Sequence, residues 1–229
     1  VYSSIGGIRG VVVTDLLQFA MAIGASVTFT VLAVQYVGGL DGLVQKLEGI
    51  YPERSGQLLQ FFPSTTGEVF PFDIFLIYIG VLWWGQYFSD GSGYLAQRIN
   101  TARSQQDAEK GSFWFMFAHF GLRTWPWLMV GLVCLVVFPL DNATANFEAG
   151  ARVAEDREMA YPVLMKQILP PGLLGLTFTS LVAAFMSTVD THINWGASYL
   201  VNDVYKGEIN PNASQKQLVR LSRAVVVGM

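Results

Sequence analysis

The chain has 229 residues, 52% of them hydrophobic and only 14% charged, where a soluble domain carries roughly 25% charged residues. Its formal charge of −3 offers no basic footprint for nucleic acid. Its one cysteine, Cys134 in the apolar run "GLVCLVVF", builds no disulfide framework and reads as a small buried hydrophobe.

A helix needs about 20 apolar residues to cross a bilayer, and four stretches approach or exceed that length. The first runs from Gly10 to Val37, with Asp15 one to two turns inside it. That carboxylate either complements the helix N-terminal dipole or serves a buried site. The second, residues 72–88, is shorter and runs into "SDGSGYLAQR", where Gly85, Gly91 and Gly93 surround Ser89 and Asp90. Such an interruption is either a discontinuous helix lining a cavity, as in secondary transporters, or a cytoplasmic loop opening at Ser89. The "GSG" does not follow a strand and is no phosphate-binding fingerprint.

The third span, residues 113–138, contains "AHFGLRTWPW". His119 and Arg123 share one face at i, i+4. Arg123 sits too deep to snorkel easily, so it calls for a partner: Asp15, Asp190 or an anionic ligand. Pro126 predicts a kink, and Trp125 and Trp127 read as packing aromatics.

The fourth span, residues 172–201, carries "AAFMSTVDTHINWG" in its middle. At about 100° per residue, Ser180, Ala184, Thr191, Asn194 and Ser198 fall within about 60° of Ser187. Asp190 lies about 60° to one side and Thr188 about 100° to the other. Lipid would not tolerate that polar stripe. Its hydroxyl and carboxylate oxygens are hard ligands suited to Na⁺; alternatively the hydroxyls bond neighbouring helices or their own i−4 carbonyls. A mid-membrane aspartate costs roughly 2.5–3.5 kcal/mol on insertion scales, so Asp190 needs a cation, a proton or a basic partner. His192 points about 140° away from the stripe and reads as a packing or interhelical hydrogen-bonding residue.

A fifth span opens at residues 224–229. With Val1 in place of an initiating methionine, this reads as an internal piece of a longer protein. Two linkers are basic, with Arg98, Arg103 and Lys110, and with Lys206, Lys216, Arg220 and Arg223; the other two are longer and acid-rich. The positive-inside rule puts the basic ones in the cytoplasm. The outward "AEDREMAYPVLMKQILPPG" suits a short surface helix, and the sequons at Asn142 and Asn212 are weak matches.

These residues resemble the sodium:solute symporter family. "GG…VVVTDLLQ" resembles that family's fifth core helix, "WWG…YLAQR" with "AEKG" its sixth helix and following loop, and "AAFMST…VNDVYK" its eighth. The likeness covers essentially the whole chain, and its wording is closest to an uncharacterised bacterial branch. It implies an all-α integral membrane fold, part of a five-plus-five inverted-repeat bundle of the LeuT type. The chain would supply core helices five to eight and the start of nine, with helices one to four and ten missing. It implies an inner-membrane protein whose partners are the lipid bilayer and a small organic solute.

The resemblance also assigns roles. A Na⁺ site would use the carbonyl of Ala184 and the hydroxyls of Ser187 and Thr188, with two carbonyls from helix one. A second cation site would use Asp15, Ser187, Asp190 and Thr191, although the family usually has hydroxyl residues at the last two positions and Asp190 departs from that. His119 falls where sugar carriers place a substrate-contacting lysine. Trp83, Trp84 and Arg123 complete a candidate substrate cavity. The expected function is Na⁺-coupled solute uptake by alternating access; the rival readings are a transporter-fold sensor and a proton-coupled symporter. No nucleophile–base pair or metal-ligand spacing suggests an enzyme.

Overall fold

The computed structural model describes residues 2–60, 62, 71–86, 96, 99–140 and 148–229, with no strand among them. Helix α1 is Tyr2–Tyr36, α2 Gly39–Ile50, α3 Ser55–Leu58 and α4 Phe72–Ile77. A wider π-helical stretch, Tyr78–Leu82, carries α4 into α5, Trp83–Gln86. Helix α6, Gln105–Met116, passes through a π turn at Phe117–Leu122 into α7, Thr124–Val137. Then come α8, Glu148–Glu155, a 3₁₀ turn at Arg157–Met159 and α9, Ala160–Ile168. Helix α10, Pro171–Ser198, widens into π-helical turns at Tyr199–Ile209, and α11 is Gln215–Gly228.

Three helical stretches are long and apolar enough to cross a membrane: Gly10–Tyr36, Gln105–Val137 and Pro171–Ile209. Phe72–Leu82 is apolar but shorter. In lipid a backbone must satisfy its own hydrogen bonds, and continuous helices do so. The chain is an all-α integral membrane protein.

The described residues fall into two compact units. One comprises residues 26–92 and 113–174. Its core is formed by Phe29 and Ala33 of α1, Val37 just beyond it, Leu43 and Leu47 of α2, Val130 and Val133 of α7, and Leu164 and Met165 of α9. The i, i+4 and i, i+3 spacings put the pairs of α1, α2 and α7 each on one helix face, and α2 and α9 both pack on α7. Gly38 and Gly39 turn the chain between α1 and α2 with φ of +99° and +81°, a conformation that only glycine adopts readily. Between α8 and α9, Asp156 caps the 3₁₀ turn by accepting from the Glu158 amide at 2.9 Å; α9 lies in the stretch expected to form a surface helix.

A π turn precedes Pro126: the Arg123 amide bonds back to Ala118 at 3.0 Å, and α7 begins at Thr124. Pro126 therefore sits in a first turn, where its missing N–H removes no intrahelical bond. The Thr124 hydroxyl donates to the His119 carbonyl at 3.1 Å, covering one acceptor that the wide turn leaves over.

The other unit comprises residues 1–25, 93–112 and 175–229. It contains the N-terminal portion of α1, nearly all of α10 and the whole of α11. Thr177, Ser180, Ala183, Thr191, Ala197, Val201 and Leu218 are buried in it.

Candidate cation site on α1 and α10

The polar stripe of α10 is buried at Ser180 and Thr191, half-buried at Ser187, Asn194 and Ser198, and exposed at Ala184, with Thr188 beside it also exposed. Ser180 and Thr191 are each 2% exposed, whereas Phe185, on the opposite side, is 69% exposed. A helix with its hydroxyls buried and its phenylalanine outward inverts the order of a water-soluble helix, and suits one with lipid on its outer side.

One contact joins the stripe to another span. The Ser187 hydroxyl donates to Oδ1 of Asp15 on α1 across 2.5 Å. That length is typical of an O–H···O⁻ bond, and the charged acceptor makes it about twice as strong as a neutral one. Asp15 thus makes an interhelical contact besides any interaction with its helix dipole. Other hydroxyls bond within α10: Thr188 donates to the Ala184 carbonyl at 3.2 Å, and Thr191 to the Ser187 carbonyl at 3.0 Å. The i−4 alternative therefore holds for Thr188 and Thr191, and the interhelical one for Ser187. A hydroxyl that donates keeps its lone pairs, so these oxygens retain the capacity to ligate a cation.

Asp190 is half-buried, and its Oδ2 is enclosed with no hydrogen-bond partner. Its backbone carbonyl accepts from Asn194 Nδ2 at 2.9 Å. The same condition holds for Oε1 of Gln18, one turn beyond Asp15 on α1. Enclosed acceptors without donors are uncommon and call for an explanation such as a water or an ion. Gln18 closes the motif "VVVTDLLQ" at i+3 from Asp15, a spacing that puts the two on one helix face. His192 bonds within its own helix, its Nδ1 lying 2.8 Å from the Thr188 carbonyl. Nδ1 must carry the hydrogen for that bond, and the ring meets Trp195 at 6.3 Å.

The expected cavity residues lie in the other unit. His119 sits on the π turn, stacked on Phe115 at 5.3 Å and edge-on to Phe120 at 4.7 Å. Within that unit Arg123 Nη2 lies 3.5 Å from His119 Nε2, an attractive contact when Nε2 is the acceptor. Trp84 is exposed on α5, and Trp83 belongs to the same helix. The Trp83 side chain and the Ser89–Asp90 segment with Gly91 and Gly93 lie outside the described residues.

Comparison with known proteins gives one consistent result. The chain matches the sodium:solute symporter family over residues 1–229. It is 30% identical over 235 residues to the sodium/glucose cotransporter of Vibrio parahaemolyticus, covering 99% of this chain and 42% of that protein. It is 29% identical over 245 residues to the sodium/myo-inositol cotransporter 2 of Oryctolagus cuniculus, covering 99% of this chain and 35% of that one. A sodium/mannose cotransporter of Bos taurus is 25% identical over 248 residues, covering 99% and 40%. The chain thus spans less than half the length of these relatives, all of them named as transporters and none as an enzyme.

Proposed function

Since the chain belongs to the sodium:solute symporter family, we propose that it couples Na⁺ influx to the uptake of a small organic solute. The relatives named for sodium cotransport of glucose, myo-inositol and mannose support that substrate class. The observation that carries the ion assignment is the Ser187–Asp15 hydrogen bond. A hydroxyl that gives its proton to a carboxylate becomes a more negative oxygen, and the carboxylate adds charge where a cation would arrive.

Na⁺ is held by the Ala184 carbonyl and the Ser187 and Thr188 hydroxyls, completed by carbonyls from the helix that the family numbers one. Helices one to four and ten complete the bundle. Occupancy of this site favours the outward-open state that accepts solute, and release past Asp15 to the cytoplasm permits return. Each charge moved inward draws about 2.3 kcal/mol per 100 mV of membrane potential. Trp83, Trp84, His119 and Arg123 line the solute path, where indole faces and a cation–imidazole pair suit a polar organic molecule. The setting is a bacterial inner membrane, in keeping with the Vibrio relative.

The test is solute uptake by the full-length protein in proteoliposomes under an imposed Na⁺ gradient. Ser187→Ala combined with Thr188→Ala should abolish Na⁺ activation; unchanged activation would overturn the assignment. Accumulation against a gradient separates a transporter from a sensor of the same fold. A second reading rests on the enclosed, partnerless Oδ2 of Asp190: that oxygen takes a proton or completes a second cation site with Asp15, Ser187 and Thr191. Uptake driven by a pH gradient without Na⁺ would favour the proton.

A further inference from the structure

Helix α11 presents a basic stripe that Na⁺ coupling does not use. Lys216, Arg220 and Arg223 recur at i, i+4 and i+7, within about 60° of one another around the helix. All three are exposed. They span about 10 Å along the axis. No Asp or Glu occurs between Ile209 and the last residue, although the whole chain carries net charge −3. The opposite face holds Leu218, which is buried, with Leu221 and Val225 half-buried.

Two contacts fix the phase of this stripe. Ser214 and Gln217 form a reciprocal capping box: the Gln217 amide donates to Ser214 Oγ at 3.4 Å and the Ser214 amide to Gln217 Oε1 at 2.9 Å. Such caps set where a helix starts. At the other end, a Cβ at Gly196 of α10 would lie 3.1 Å from the Met229 methyl, so the end of α11 rests on α10. Beyond the cations the helix turns apolar, in "AVVVGM".

We propose that this stripe binds the headgroups of anionic phospholipids at the cytoplasmic surface of the bilayer. Charge complementarity carries the assignment: three cations on one face, uninterrupted by acids, beside a segment that turns apolar. Lys and Arg beside a membrane span are drawn to anionic lipid, and each cation near such a surface contributes about a fivefold gain in association. The inference is independent of Na⁺ coupling, because none of the three residues belongs to the cation site.

The full-length protein is placed in nanodiscs, where both faces meet the same lipid and inverted insertion has no effect. The readout is retention of spin-labelled phosphatidylglycerol relative to spin-labelled phosphatidylcholine. The unaltered protein should prefer phosphatidylglycerol, with the preference falling as salt rises. Lys216→Gln with Arg220→Gln and Arg223→Gln should reduce that preference on the order of tenfold or more. Arg220→Lys with Arg223→Lys should keep it, since charge is what the headgroup reads. Equal preference in the unaltered protein and the triple variant would overturn the proposal, leaving the cations as a topology signal only. Displacement of the labelled lipid by millimolar glycerol phosphate would overturn it in favour of a soluble-anion site.

Discussion

The Ser187 hydroxyl meets the Asp15 carboxylate across 2.5 Å, 172 residues apart in sequence. A hydrogen bond to a charged group contributes about 1.5–3 kcal/mol. If the pair shapes the Na⁺ site, Asp15→Asn and Ser187→Ala should each weaken apparent Na⁺ affinity by about tenfold or more. The two changes should be non-additive, since either one removes the same bond. A double variant with the product of the two single effects would show that the residues act separately.

Asp190 offers a contrast between stability and function. Its Oδ2 is enclosed without a donor, and an unmet buried acceptor costs about 1–3 kcal/mol, more when charged. Asp190→Asn removes the charge and should raise the melting temperature of the Na⁺-free protein. It should also shrink the further stabilisation that Na⁺ confers, because ligand binding stabilises only through the site it occupies. Thermal unfolding in detergent with and without Na⁺ checks both, and an undiminished Na⁺ response would remove Asp190 from the cation site.

Much of this site could be read in the sequence because membrane burial leaves few reasons for polar residues. The 100° periodicity placed Ser180, Ser187 and Thr191 on one face, and these three are buried or half-buried, although Ala184 on the same face is exposed. What periodicity cannot supply is the partner across a gap of 172 residues. Asp15 stood out as a carboxylate inside an apolar span, but nothing in the spacing paired it with Ser187 rather than with Arg123. Local backbone choices were also hidden. Pro126 flagged a local irregularity, and the π turn ending in Leu122 lies just before it, leaving proline a first-turn position without a lost bond. Arg157 shows the same limit. Its guanidinium donates to the Phe138 and Pro139 carbonyls at 2.8 and 3.0 Å, capping the end of α7 from a segment whose sequence suggests only a surface helix.

Tyr51 closes that same end of α7 from the other direction. Its hydroxyl donates to the Leu135 carbonyl at 3.2 Å and accepts from the Leu140 amide at 2.8 Å. Helix ends leave such groups unmatched. Tyr51→Phe keeps the ring and strands both, so a loss of about 1–3 kcal/mol is expected. Reversible unfolding of the full-length protein in mild detergent measures it, and a loss well under 1 kcal/mol would mean that water serves equally well.

The turn from α1 into α2 predicts opposite effects for two glycines in one helix. A Cβ at Gly42 would fall 2.7 Å from the Val37 carbonyl oxygen, which is backbone and cannot swing aside. At Gly49 it would meet nothing within 4 Å. Gly42→Ala should therefore destabilise by about 1–3 kcal/mol, while Gly49→Ala should be neutral or stabilise by up to about 1 kcal/mol from helix propensity. Equal melting temperatures for the two variants would contradict the close approach.

Tyr161 supplies a pH dependence. It lies on α9, outside the spans, edge-on to Phe29 at 5.2 Å and stacked on Trp127 at 4.7 Å. Burial pushes its phenol up to about 12, whereas an unfolded tyrosine titrates near 10. The folded state thus favours the protonated ring, and unfolding releases that proton more readily. Its contribution to stability is complete below about pH 10 and is lost as pH rises toward 12. Tyr161→Phe keeps both ring contacts and removes the titration. Between pH 10 and 12 the variant should lose less stability than the unaltered protein, and ultraviolet titration should show one late-ionising phenol fewer. Parallel alkaline profiles for the two proteins would refute the assignment.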